Sequence, residues 1–135
     1  MEESTKILIN VRVESADEDL ETAKELLKLN RYRAAVNRAY YAIFSTTNAV
    51  LLSKQIERSK HSGVEAAFIQ NFIKTGIFRI EFGKTFNYIR RKREECDYSS
   101  RIKIERETAE KIVEDAEKFI RHMKEYLKTV LLSLE

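Results

Sequence analysis

Phe82 to Tyr98 reads FGKTFNYIRRKREECDY. On a helix of 3.6 residues per turn, Phe82, Phe86 and Ile89 share one apolar stripe, and Arg93 lands in the continuation of that stripe. A guanidinium thus stands where the period expects a core side chain. Asp97 follows four residues later, within reach of Arg93, although Arg before Asp is the weaker order for such a pair. Tyr98 comes next, and Ser99 and Ser100 read as the helix end. The stretch predicts an amphipathic helix whose aromatic side needs partner helices and which finishes in an Arg93, Asp97, Tyr98 cluster. Two readings fit that cluster. One is a structural ion pair at a helix end; the other is a polar site between packed helices, where a guanidinium meets a phosphate in planar, two-pronged fashion.

The partner helices are legible on both sides. The chain has 135 residues, no Pro and three Gly, so the usual interrupters of helices are nearly missing and the fold class is all-α. With 43% hydrophobic and 35% charged residues, it has the composition of one globular domain over residues 1–135 that buries a core. From about Glu3 to Leu29, Ile9, Val13, Ala16, Leu20, Ala23 and Leu27 repeat at spacings of four and three, and Asn30 reads as the stop. In the next helix, RYRAAVNRAYYAIFSTTNAVLLSK, the small residues Ala35, Ala39, Ala42, Thr46 and Ala49 line one face and allow close approach of another helix. Val36, Tyr40, Ile43 and Val50 line the neighbouring face. Arg38, Tyr41, Ser45 and Asn48 form a polar stripe on a helix otherwise apolar around most of its circumference, which predicts that they meet partners inside the bundle.

Gln55 to Lys60 is a polar loop. HSGVEAAFIQNFIKTG then reads as a short helix beginning at His61 or Ser62, with Val64, Phe68 and Phe72 inward and Gly76 as its stop. The fourth helix is expected from Phe78 to Tyr98. After a connection over Ser99 to Glu105, a last helix runs from Arg106 to about Leu134, with a seam of Ala109, Ile112, Ala116, Phe119, Met123, Tyr126, Val130 and Leu134. The apolar end of that seam suggests pairing with another chain.

Several chemistries lack their residues. The two histidines, His61 and His122, are far apart in sequence and neither has a His or Cys at a metal-ligating interval, so no metal is expected; no Gly-rich phosphate loop or nucleophile elbow occurs, and no cofactor is expected. The single cysteine, Cys96, forms no internal disulfide and suits a reducing cytoplasm. The longest uncharged run, Ala39 to Ser53, has 15 residues, short of the about 20 needed to cross a membrane. The net charge of +3, from 25 basic and 22 acidic residues, permits polyanion binding without demanding it. The densest basic run, Arg90 to Arg93, covers more than a turn, so Arg90 and Arg91 point elsewhere than Arg93; it is either a solvated face or a phosphate-tracking patch sensitive to salt.

YRAAVNRAYYAIF at Tyr32 to Phe44, KHSGV at Lys60 to Val64, FIKTG at Phe72 to Gly76 and RKREECDY at Arg91 to Tyr98, in that order and spacing, resemble the HEPN domain superfamily, more narrowly its small single-domain branch. The resemblance spans roughly residues 10 to 128. It implies an antiparallel up-and-down bundle of four to five helices, usually dimeric, with a polar site near the dimer interface. Many HEPN relatives are metal-independent ribonucleases carrying an Arg followed, after four to six residues, by a His. They often act as toxins whose partner is a minimal nucleotidyltransferase. Arg93 occupies the position of that Arg, while the His position holds Tyr98, preceded by Asp97. A tyrosine of ordinary pKa near 10 is a poor base at neutral pH, and a carboxylate beside a guanidinium is held ionised. Arg38 and Tyr41 of the second helix, and His61 and Ser62 at the start of the third, lie where further motif positions recur in the family.

Two functions are expected from these residues. One is a nucleotide- or RNA-binding homodimeric module, with Arg38, Tyr41, His61, Arg90 and Arg93 as ligand-binding residues, paired with a nucleotidyltransferase-type protein in a toxin–antitoxin-like system. The other is a divergent metal-independent endoribonuclease in which Arg93 holds the phosphate and Asp97 or Tyr98 moves the proton.

Overall fold

A computed structural model of the protein describes residues 1–99 and 101–133, apart from the side chains of residues 132 and 133. Ser100 and Leu134, assigned above to a helix end and to the last seam, lie outside the described residues. The architecture is an all-α bundle: α1 (Glu3–Lys28), α2 (Tyr32–Leu52), α3 (His61–Phe68), α4 (Ile80–Tyr98) and α5 (Arg106–Ser133), with a single π turn at Ile69–Ile73 continuing α3.

Helix ends fall where backbone chemistry permits them. After α1, Asn30 takes a left-handed φ of 59°. Its N–H donates to the Leu27 carbonyl at 3.0 Å and that of Arg31 to Leu26 at 2.9 Å, closing the last turn. Gln55 repeats the device after α2 with φ 60°, its N–H donating to Leu52 at 2.9 Å and that of Ile56 to Leu51 at 3.0 Å. Gly76, at φ +80°, reverses the chain after the π turn, and the Phe78 N–H donates back to the Phe72 carbonyl at 2.8 Å.

The central helix is α2, which packs against α1, α3, α4 and α5. Its buried alanines (Ala35, Ala39, Ala42 and Ala49) let the neighbours approach closely. Cross-helix pairs fix the directions: Asp19 of α1 meets Arg38 of α2, Cys96 of α4 meets Arg33 of α2, and Asp17 of α1 meets Lys124 of α5. The first two pair an early position with a late one, and Lys24 of α1 meets Glu117 of α5 while the earlier Asp17 meets the later Lys124, so these neighbours are antiparallel. The core is an aromatic stack in which Phe119 of α5 touches Phe68, Phe82 and Phe86 at ring-centroid distances of 5.7, 6.0 and 6.3 Å. Phe86 then meets Tyr40 at 6.0 Å, carrying the core out to α2.

Two local features differ from the sequence expectation. The stretch from His61 to Gly76 is not one regular helix: at the π turn the Lys74 N–H reaches the Ile69 carbonyl at 2.8 Å, one residue further than an α-helix allows. The polar stripe of α2 is also not inside the bundle. Arg38, Tyr41, Ser45 and Asn48 are half-buried, because α3 has only eight residues and leaves that side of α2 partly open. The fully buried polar side chains of α2 are Thr46 and Thr47, and both donate to the Ile43 carbonyl of their own helix, at 3.0 and 2.8 Å.

Candidate functional site

Arg93 sits where the apolar stripe of α4 continues, and its side chain is 17% exposed. The Phe82, Phe86, Ile89 stripe turns this face of α4 towards α2, so the guanidinium meets the paired rings of Tyr40 and Tyr41. Its Cζ lies 4.7 Å from the Tyr40 ring centroid and 5.8 Å from that of Tyr41, both within cation–π reach. Arg38, one turn earlier on α2, places its own Cζ 5.0 Å from Tyr41. Two guanidiniums thus share one tyrosine ring. Arg38 is anchored by Asp19 at 3.2 Å.

Arg93 is incompletely satisfied. One Nη donates to Asp97 at 2.9 Å, but Nε is buried with no hydrogen-bond partner among the described residues. A buried donor without an acceptor costs on the order of 1–3 kcal/mol, and an incoming oxyanion would relieve it.

His61, the first residue of α3, completes the cluster. Its imidazole stacks on Phe44 at a centroid distance of 4.2 Å and meets the edge of Tyr41 at 6.0 Å. Nδ1 is 2.9 Å from the Tyr40 hydroxyl. Burial, opposed by the nearby Arg93 cation, pushes the Tyr40 pKa up to about 12, so at neutral pH Tyr40 keeps its proton. Burial first, and then the Arg93 charge, lower the pKa of His61. In that neutral imidazole the assignment that satisfies both groups has the buried Tyr40 hydroxyl donating to Nδ1, which puts the ring proton on Nε2. His61 also borders a polar cleft of about 610 Å³ walled by Glu65, Gln70, Lys74, Asn87 and Glu94.

The structure therefore brings Arg38, Tyr41, His61 and Arg93 into one neighbourhood from α2, α3 and α4. Asp97 stands at its rim, its side chain 51% exposed. Tyr98 is 94% exposed and outside the cluster. Arg90 lines the polar cleft that His61 borders, where it binds Glu65 at 2.5 Å and Glu94 at 2.9 Å, and Asn87 donates to the same Glu65 carboxylate at 3.0 Å. Ser62, beside His61, is exposed and lines the polar cleft. Tyr40 and Phe44 were not singled out as site residues in the sequence. The available signal was the Tyr40–Tyr41 doublet, since a phenol on an apolar face needs a partner for its hydroxyl.

Chemically, the cluster offers a guanidinium with a spare buried donor, a neutral imidazole, and aromatic rings on which a flat group can stack. Among the described residues no group of three or more His, Cys, Asp or Glu side chains is placed to hold a metal ion, and no helix is long and apolar enough to cross a membrane.

The chain is similar to a UPF0332 protein of Thermotoga maritima, 42% identical over 120 residues, covering 89% of this chain and 90% of that protein. It is similar to two candidate toxins of Methanocaldococcus jannaschii. One is 36% identical over 85% of this chain and 78% of the relative; the other is 37% identical over 91% of each. Residues 9–126 match the HEPN domain, a span that runs from within α1 to within α5 and includes the whole Arg93 neighbourhood, and the chain belongs to the HEPN domain family.

Proposed function

We propose that this chain is a nucleotide- or RNA-binding HEPN module, a cytoplasmic homodimer that works with a minimal nucleotidyltransferase-type partner in a toxin–antitoxin-like pair. The observation that carries the reading is Arg93, wedged between α2 and α4 with its buried Nε unpartnered. A phosphate oxygen is the acceptor that such a donor lacks, and Arg38 adds a second cation one ring away. The candidate-toxin relatives support the pairing with an antitoxin, and a nucleotidyltransferase gene beside the gene for this chain is the expected context. The half-open stripe of Tyr41, Ser45 and Asn48 on the central helix supports a second copy packing near the site. The test is equilibrium binding of AMP and of single-stranded RNA at low salt. Arg93→Ala is expected to weaken both about tenfold or more, the loss of a charge-assisted hydrogen bond being about 1.5–3 kcal/mol; unchanged binding would sink the proposal.

His61 favours a second reading, a metal-independent endoribonuclease. Asp97 is engaged as the counterion of Arg93 and Tyr98 is in solvent, so in this reading the proton carrier is His61. For this it adopts the other neutral tautomer, Nδ1–H donating to the Tyr40 oxygen, so that Nε2 takes the proton of a ribose 2′-hydroxyl as that oxygen attacks phosphorus; Arg93 offsets the charge on the phosphate, and the departing 5′ oxygen takes up a proton from water. Cleavage of RNA in the presence of a chelator, lost in both Arg93→Ala and His61→Ala, is the expected outcome; intact RNA after prolonged incubation contradicts it.

A further inference from the structure

At the end of the bundle where α2 and α5 begin, Arg31, Arg33, Lys103 and Arg106 line a shallow cleft of about 690 Å³ in which Glu105 is the one carboxylate. That cleft carries as much net positive charge as the whole chain. Arg101 is exposed just before the lining residue Ile102. Some surface cations of α4 and α5 are answered by acids, as in Lys92 with Glu95, Lys111 with Asp115 and Lys124 with Asp17. Here Arg31, Arg101 and Lys103 are exposed, and their side chains have no ion-pair or hydrogen-bond partner among the described residues. The rest of the cleft is fixed: Arg106 donates to the Tyr32 hydroxyl at 2.7 Å and to Asn30 at 2.9 Å, and Arg33 donates to the Cys96 carbonyl near the end of α4.

That last contact joins the cleft to the candidate site. Cys96 is three residues beyond Arg93, about 4.5 Å along the helix axis, and Arg33 lies two turns before Tyr40 and Tyr41 on α2. Cations thus continue along the α2–α4 seam from Arg93 to the end of the bundle. A row of cations suits a chain of phosphates, whereas a mononucleotide or an inorganic anion needs only one locus.

We infer that this cleft is a second, sequence-independent binding region for the backbone of single-stranded RNA whose neighbouring phosphate is held at Arg93. The inference rests on the RNA-binding reading above and extends it from the single locus at Arg93 to a second stretch of the RNA backbone.

The experiment compares wild type with the triple variant Arg31→Ala, Arg101→Ala, Lys103→Ala, all exposed positions, on AMP, on random-sequence single-stranded RNA and on a polyglutamate peptide across a range of salt. Wild type should bind RNA more tightly than AMP. In the triple variant that advantage disappears, AMP binding is unchanged, and the slope of log affinity against log salt becomes shallower by about 2, at roughly 0.7 per phosphate contact. An unchanged slope and RNA advantage overturn the inference, and so does polyglutamate binding as tight as that of RNA, which would assign the cleft to an acidic protein. If AMP binding still falls in Arg93→Ala, the candidate site stands without its extension; if wild type binds neither AMP nor RNA, both fall.

Discussion

Arg93, Tyr40 and His61 form a chain of dependence in which each group sets the state of the next. The guanidinium lies on the Tyr40 ring, Tyr40 holds Nδ1 of His61, and burial together with the Arg93 charge keeps that imidazole neutral. An ordinary imidazole titrates near 6.5. His61 is expected to titrate below that value by NMR, and Arg93→Ala, which removes the cation and opens the cluster, should raise its pKa; an unmoved titration would contradict the coupling. The sign for stability follows. The unfolded chain binds the His61 proton at a higher pH than the folded one, so as pH falls through about 6.5 towards the folded value this residue removes stability. In His61→Ala that part of the pH dependence should vanish from denaturant midpoints. At this scale the sequence was informative about Arg93, because a charge interrupts an apolar period. It was silent on Tyr40 and Phe44, because their role depends on α3 returning to place His61 against them.

Among the elements, the connection from α3 to α4 is the least legible and the most constrained. Hydrophobic spacing placed Phe68 and Phe72 inward but could not distinguish a π turn from a regular one, since both keep residues four apart on nearly the same side. What marks the site of the turn is packing. At Gly83, α4 comes so close to the Ile69–Ile73 turn that an added Cβ would stand 2.8 Å from Ile69 Cδ1 and 3.4 Å from Ile73 Cγ1. Gly83→Ala meets only the far end of one flexible side chain and gains helix propensity, so the two effects offset and stability should change little. Gly83→Leu must part the two segments and is expected to cost about 1–3 kcal/mol in chemical denaturation. A Leu variant as stable as wild type would show that the approach is looser than described. At Gly76 space is open but φ is +80°, so Gly76→Ala should cost about 1–2 kcal/mol through backbone strain alone. The ends of α1 and α2 were readable within a residue or two, because Asn30 and the polar run from Gln55 state their backbone chemistry locally.

For the whole molecule, the all-α bundle follows from nearly uninterrupted helical periodicity, and the aromatic stack holds the candidate site in place. Phe86 is fully buried and touches Phe68, Phe119 and Tyr40. Phe86→Ala should cost about 3–5 kcal/mol and loosen Tyr40 as well as the core, so in native-state hydrogen exchange α2 and α4 should lose protection together. The way the chain folds back was less legible than its helices. Nothing in the period of α2 says that a helix of only eight residues covers it, so its polar stripe looked interior and is half-open instead.

The two histidines provide the most direct test of the central claim, that an anion is received at the α2–α3–α4 junction around Arg93. His61 borders that junction, whereas His122 lies on α5 against Phe82 at a ring-centroid distance of 4.8 Å. Their ring signals can be followed in one NMR titration with single-stranded RNA. The expected result is a saturable shift of the His61 signal with His122 unmoved; a shift confined to His122, equal shifts of both, or no shift at either would contradict the account.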